Sequence, residues 1–457
     1  MRRIHVTGLA ADGVRALLAT RFRAEIWVAP AGPFVPLKEE APGGRAADHP
    51  QARLGPPVTG PAGIRSGKES AMRTYRQRLL AAAAMMPAAA MIAVTGAAAA
   101  GAGTGEPPAS LNAVTVTSTG AMAVGTDSIN AFLNPLCGTD MSVSRGASRW
   151  AAVKTPSPGC GWLSSVAALP GGKAWAVGYQ TNSSGVTHTL TEYYNGSVWA
   201  LEPSPDPGPT DQLTSVTVTP SGAVWAAGVY YNSSGDQESL LLQRTGSTWT
   251  PVTAPGLAFL EGITSTPGGQ LWAVGWGFNG DYLNNSTVIL MQTGSGWKQV
   301  PSPSPGKGNG SYLYSVAAGP DNALWAVGKY YDSKTAAPHT LTVRYQSGKW
   351  AQVPSPTPGP ADDWLYSAVI TPGGQVWAVG GATSSKCESN LAEEYAGGAW
   401  KVVTVPDRGA CTSSNANALY GVTATSTGTL YAVGESDIST LVEQNTSGTW
   451  KIVPSDN

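Results

Sequence analysis

One unit recurs seven times between residues 111 and 457, and that repetition leaves the chain few folds to choose from. The unit opens on Leu111 (LNAV), Leu163 (LSSV), Leu213 (LTSV), Leu260 (LEGI), Leu313 (LYSV), Leu365 (LYSA) and Leu419 (LYGV), at spacings of 52, 50, 47, 53, 52 and 54 residues. A turn such as PGGKAW or PDNALW then leads into WAVG or a near copy, at Trp175, Trp225, Trp272, Trp325 and Trp377. Met122 and Tyr431 stand at the Trp position in the first and last units. A third apolar run follows (TLTEYY, SLLLQR, TVILMQ, TLTVRY), then a Gly-containing turn and a second Trp in every unit: Trp150, Trp199, Trp249, Trp297, Trp350, Trp400 and Trp450.

Each unit therefore offers four short strands divided by Gly, Pro, Asn and Ser turns, and nothing after residue 110 has helical period. Seven repeats of four strands predict an all-β fold, a seven-bladed β-propeller with four antiparallel strands per blade. Small residues among the Leu and Val of the first strand suit the innermost position, where blades converge. The two Trp series suit the wide outer wedges. Because the last unit ends just after Trp450, the ring is expected to close by packing blade 1 against blade 7 and not by an exchanged strand.

Only 12% of the residues are charged, with 42% hydrophobic, a balance opposite to that of disordered chains. After residue 100 there are 15 Lys and Arg against 23 Asp and Glu, which excludes the basic footprint of a nucleic-acid binder. His188 and His339 are the two histidines of that region, so little imidazole chemistry is open to it.

Residues 72–100 have the parts of a secretory signal peptide: Arg73, Arg76 and Arg78, an apolar stretch from Leu79 to Val94, and a small-residue run at Ala97–Ala100. A weak membrane anchor is the other reading, and either exports the remainder of the chain. Residues 1–71 lack periodicity and read as a disordered upstream extension, with 101–110 as a linker. If the signal is cleaved, no stable membrane insertion is expected, and the product is expected to be a monomer, secreted or held in the extracellular envelope.

The unit LxSVxxxPGGxxWAVG, followed by NGSxW or SGKW, resembles the repeats of photosystem II stability factor-like proteins and of the Asp-box group that includes sialidases. It also resembles the WAVG-repeat propellers secreted by high-GC bacteria. The resemblance implies the propeller. It does not transfer an activity, because YNGSVW and YQSGKW are degenerate Asp boxes. Nor do Arg145, Arg149, Arg244, Arg344 and Arg408, none on a first strand, reproduce the sialidase arginine clamp or the arginine patch of the assembly factors. The PGGxLW turn is also similar to that of propeller lyases acting on cyclic esters, whose His, acidic and metal set is missing here.

Cys137 and Cys160, 23 residues apart, and Cys387 and Cys411, 24 apart, occupy matching places in blades 1 and 6 and predict two intra-blade disulfides. With no C-x-x-C and no His nearby, the spacing gives no zinc pattern, and no metal or cofactor is expected. Loops after strands two and four share one face. Around its mouth the sequence places Trp162, Phe259, Tyr312 and Trp364 before the opening Leu, and Tyr314, Tyr366 and Tyr420 after it. Trp276, Phe278, Tyr282 and Tyr331 follow from the loops. These aromatics suit either sugar stacking and protein anchoring or simple packing between blades.

Catalytic motifs are lacking. Glu261, Asp362 and Asp363 are the acids that could meet near the channel as a hydrolytic pair. Glu393 and Glu394, on a third strand, read as a solvated edge, and the matched His188 and His339 as a feature of the repeat. The sequence thus points to an exported non-catalytic module for a carbohydrate or protein ligand, or alternatively to a channel-facing glycoside hydrolase or lyase.

Overall fold

Among the described residues, turns separate 28 strands, and these form seven separate four-stranded antiparallel sheets, each built from four consecutive strands in simple up-and-down order. The computed structural model describes residues 109–127, 138–146, 149–156, 159–277, 285–412, 416–436 and 439–455. The expected extension, signal segment and most of the linker lie outside these residues. The first strands are Ala109–Thr117, Cys160–Leu169, Thr210–Val218, Ala258–Ser265, Ser311–Ala318, Asp362–Ile370 and Asn417–Ala424. Each packs beside the first strand of the next blade, and that of blade 7 packs beside that of blade 1, so together they form the inner wall of a closed ring. Strand one of the first blade begins at Ala109, so the last two residues assigned to the linker already belong to the sheet.

The WAVG motif fills the second strands, and its glycine has a steric cause. In every blade the first and second strands slip register immediately after the opening Leu. This β-bulge brings the carbonyl oxygen of the residue before that Leu onto the glycine opposite. A Cβ on Gly125, Gly178, Gly228, Gly275, Gly328, Gly380 or Gly434 would sit only 1.8 to 2.0 Å from that oxygen. Only a residue without a side chain fits such an approach.

The tryptophans work between blades. Apart from Trp199, each fourth-strand Trp meets the second-strand aromatic of the preceding blade edge to face: Trp249 on Trp175 at 5.4 Å, Trp297 on Trp225 at 5.8 Å, Trp350 on Trp272 at 5.6 Å, Trp400 on Trp325 at 5.3 Å and Trp450 on Trp377 at 5.8 Å. Trp150 of blade 1 meets Tyr431 of blade 7 in the same way at 5.6 Å, which closes the ring. Closure also uses the carboxyl end, where the Trp150 N–H donates to the Pro454 carbonyl at 3.1 Å and Trp150 bridges Ser455 in parallel.

The Ser of the LxSV motif joins blades near the axis. Ser165, Ser215, Ser315 and Ser367 each accept, on Oγ, the backbone N–H of Val216, Ile263, Ala368 and Val422 of the next blade. The Pro-rich links are latched too. Third-strand Thr189, Thr287 and Thr340 hydrogen-bond Ser204, Ser302 and Ser355 of the PSP segments, and Thr440 bonds Ser455 at the end of the chain.

Cys387 and Cys411 form the expected disulfide, with Cα atoms 5.3 Å apart, between the start of the third strand of blade 6 and the link beyond its fourth. Cys160 is also disulfide-bonded, while Cys137 lies outside the described residues. Closing a 24-residue loop is worth about 3 kcal/mol in chain entropy. We expect Cys387→Ser/Cys411→Ser to lower the urea midpoint accordingly without changing the far-UV spectrum.

One expectation is corrected. Glu393 is not part of a solvated edge but fully buried, together with Glu192 and Glu443 at the same place in the third strands of blades 2 and 7. The motif TLTEYY, NLAEEY, TLVEQN aims this side chain between blades, because residues alternate in facing along a strand.

Candidate functional site

The bulge that demands glycine on one strand also aims a side chain from the other. The unpaired bulge residue is Asn112, Ser164, Thr214, Glu261, Tyr314, Tyr366 or Tyr420 in blades 1 to 7, and each follows the opening Leu on the inner wall. The side chains of Asn112, Thr214, Tyr314 and Tyr366 reach along the wall to the next blade. Asn112 Nδ2 donates to the Leu163 carbonyl at 2.8 Å, and Thr214 Oγ1 to that of Leu260 at 2.6 Å. In the later blades the same direction brings rings together, with Tyr314 to Tyr366 at 5.3 Å and Tyr366 to Tyr420 at 5.2 Å between centroids. The wall is therefore polar over blades 1 to 3 and aromatic over blades 5 to 7, with Glu261 at the junction.

Residues before the opening Leu extend the aromatic part. Phe259 stacks on its cross-strand partner Trp276 at 5.2 Å, and Trp276 meets Tyr312 at 5.6 Å. Tyr312 in turn contacts Tyr314 and Tyr331, each at 6.4 Å, and Trp364 meets Tyr366 at 5.9 Å. Of the aromatics that the sequence places around the mouth, Phe259, Trp276, Tyr312, Tyr314, Tyr331, Trp364, Tyr366 and Tyr420 thus join in one continuous set. Trp162 stands apart. It stacks instead on Tyr179 at 6.1 Å in blade 2. Phe259 and Trp364 are buried and support the set from behind, while Trp276, Tyr312, Tyr314, Tyr331 and Tyr366 are half-buried. Phe278 and Tyr282 lie outside the described residues.

Charge is concentrated in the same quadrant. Glu261 Oε1 accepts the indole N–H of Trp276 at 3.1 Å. Burial lifts the Glu261 carboxyl to about 7, with that hydrogen bond pulling the other way. Lys329 Nζ lies 3.3 Å from Asp362 Oδ2 and sits over the rings of Tyr331 at 5.2 Å and Trp364 at 5.5 Å. Tyr420 donates its hydroxyl to Glu435 Oε1 at 2.7 Å. Burial, then the fields of Glu388, Asp362, Glu435 and Glu261, push the Tyr366 phenol well above its usual range.

Asp363 is placed otherwise. It is fully buried, and its Oδ2 accepts the Gly359 N–H at 2.6 Å, so it pins the incoming link. Asp211 does the same for Gly208 in blade 3, at 3.0 Å. Of the acids considered for hydrolysis, Glu261 and Asp362 remain in the aromatic quadrant, the latter paired with Lys329. The histidines serve the links: His188 Nδ1 lies 3.1 Å from Asp206 Oδ2, and His339 Nδ1 lies 3.3 Å from Thr357 Oγ1 at the matching position.

Sequence reasoning missed Lys329 and Glu435. Both were legible in principle, since each faces a residue before the opening Leu across the first strand pair, Tyr312 and Ala418 respectively. Among the described residues, no group of three His, Cys, Asp or Glu is arranged to hold a metal ion. No helix among them is long and apolar enough to cross a membrane.

No family model matches the chain, and no curated protein does. Among solved structures it is similar to YCF48 bound to a D1 peptide, at 14% identity and a TM-score of 0.43, over 77% of this chain and 93% of that one. The Hadza microbial sialidase Hz136 is 11% identical with a TM-score of 0.43, covering 70% and 74% respectively. PorZ, a surface component of the type-IX secretion system of Porphyromonas gingivalis, is 11% identical with a TM-score of 0.44, over 74% of this chain and 46% of PorZ.

Proposed function

We propose that this chain is an exported, non-catalytic binding module that receives a carbohydrate or protein ligand at the aromatic quadrant of its inner wall. One observation carries the reading: bulge residues of three successive blades place Tyr314, Tyr366 and Tyr420 in ring-to-ring contact around the axis. Packing between blades is already supplied by the opening Leu, the second-strand core and the Trp pairs farther out. A tyrosine row on the inside of that core, half-buried at Tyr314 and Tyr366 and buried at Tyr420, adds recognition surface instead, since aromatic side chains combine large contact area with a polar tip. Export is supported by the basic and apolar order of residues 72–100 and by the disulfides, which persist in oxidising compartments.

Glycan and peptide arrays probed with the full chain test this. Tyr314→Ala/Tyr366→Ala is expected to weaken capture at least tenfold, and Trp162→Ala to leave it unchanged. The hydrolase or lyase reading rests on the raised Glu261 carboxyl, a feature of general acids. Turnover of an array ligand that Glu261→Gln abolishes would replace the module with that enzyme.

A further inference from the structure

We infer that a cavity at the seam of blades 1 and 7 binds a small organic monocarboxylate, with Arg145 as its anchor. The cavity, about 570 Å³, is lined by the turn between the first two strands of blade 1, by Arg145 and Gly146 at the end of its third strand, and by Thr425 and Tyr431 of blade 7. That volume suits a small ligand. No lining residue belongs to the aromatic quadrant, so this site stands or falls independently of the binding-module reading.

Blade 3 shows what an arginine at this place ordinarily meets. Arg145 and Arg244 hold the same position in the repeat, each paired across the last two strands with the Trp of its blade, Trp150 and Trp249. Each also covers the second-strand aromatic of the preceding blade, Tyr431 at 5.6 Å and Trp175 at 4.6 Å. Glu202 of that preceding blade answers the charge of Arg244, its carboxylate accepting from Nε at 3.0 Å and from Nη2 at 2.9 Å. In blade 7 the residue matching Glu202 is Val453: both follow the fourth strand, and both donate their backbone N–H to the third strand, at Thr191 and Val442 respectively. Arg145 is thus left without a carboxylate. Its Nε donates to the Tyr431 hydroxyl at 2.9 Å and its Nη1 to the Gly146 carbonyl at 3.2 Å, while Nη2 has no partner among the described residues. Two neutral acceptors fix the guanidinium plane and leave its charge standing.

The lining decides what answers that charge. Arg145 is the one charged residue in it, so a single negative charge is balanced. A phosphate dianion or a dicarboxylate brings a second charge against uncharged walls, at a desolvation cost that nothing there offsets. A carboxylate offers two coplanar oxygens to a guanidinium, the match that Glu202 makes with Arg244. Val116, Ala121 and the ring of Tyr431 give a compact apolar body surface to lie against.

Calorimetric titration of the full chain with benzoate, its uncharged isostere benzamide and phenyl phosphate at neutral pH tests the site. Benzoate is expected to saturate at least tenfold more tightly than either of the others. Arg145→Gln is expected to weaken benzoate at least tenfold, and Arg145→Lys to recover part of the loss, because the charge stays while the planar fork goes. Val453→Glu supplies the carboxylate that blade 2 gives Arg244. It is expected to weaken benzoate at least tenfold without lowering the melting temperature, an effect that an arginine serving only to cover Tyr431 would not produce. Thermal unfolding of each variant without ligand confirms that it is folded. Equal affinity for benzoate and benzamide, no saturable binding, or binding indifferent to Arg145→Gln overturns the inference. Tighter binding of phenyl phosphate overturns the choice of a monocarboxylate. An alanine hexapeptide with a free carboxyl end that binds more than tenfold tighter than benzoate overturns the small-molecule assignment in favour of a polypeptide terminus.

Discussion

Trp325→Ala lowers the stability of the propeller by about 3–5 kcal/mol, the range for emptying an aromatic site in a packed core. Trp325 is 2% exposed and is wedged between two blades. It meets Trp400 edge to face at 5.3 Å and Tyr395 at 4.5 Å on blade 6, and the Arg344 guanidinium covers its ring at 5.5 Å. Truncation empties a space bounded by strands of two sheets, neither of which can close in without shifting its ladder. Trp199→Ala is the matched comparison. Its inter-blade partner is Met122 in place of Trp, and the ring it contacts, Tyr194 at 5.2 Å, belongs to its own blade. Its removal is expected to cost less. Urea unfolding of the two variants measures the difference. A loss below about 1 kcal/mol for Trp325→Ala would show that blades are held by something other than these pairs.

The blade count was legible because turn chemistry and Trp spacing report local geometry, and local geometry repeats. The Cys387–Cys411 pairing was legible for the same reason, since matched loops of one sheet emerge together. What the sequence did not disclose depends on register. A one-residue slip after each opening Leu decides that Tyr314, Tyr366 and Tyr420 enter the inner wall while Phe259 and Trp364 are buried beside it. It also decides that Gly, and no other residue, can end WAVG. Such a bulge has no residue signature of its own, because Asn, Ser, Thr, Glu and Tyr all occupy it here. Lys329 and Asp362 belong to neighbouring blades, and only the ring geometry pairs them. Asp363 adjoins Asp362 in sequence, yet strand alternation sends it to the opposite side. Glu393 escapes a sequence reading because a charged residue on an outer-half strand is usually solvated, whereas here the partner blade covers it.

That burial sets the pH dependence of the fold. Desolvation raises the Glu192 carboxyl to about 9, with Asp140 adding to the shift, and it raises Glu393 and Glu443 to about 8, aided by Asp363 and Asp407 respectively. An unfolded glutamate ionises near 4.3, as does any exposed one. Below that pH both states are protonated and the folded protein has its full stability. As pH rises, the unfolded chain releases these protons first, so stability falls progressively until the folded carboxyls ionise near 8 to 9. Each buried carboxyl costs up to about 1.4 kcal/mol per pH unit across that window, less as water reaches the ionised group. Glu261, raised to about 7, and Asp211, raised to about 6, act with the same sign. Asp332 is the opposing case, lowered by the turn N–H groups of Thr335 and Lys334, and it is an exposed group of small weight. The melting temperature is therefore expected to be higher at pH 5 than at pH 8, an acid-favoured profile. Glu192→Gln/Glu393→Gln/Glu443→Gln keeps the shape and removes the ionisation. The substituted amide oxygen at position 443 can still accept the Asn390 side-chain N–H that Glu443 Oε1 accepts at 3.1 Å. This variant is expected to flatten the profile and to melt above the wild type at pH 8. A wild-type melting temperature that is level or rising from pH 5 to 8 would mean that these three carboxyls are hydrated or paired in solution, and that the blade interfaces open enough to admit water.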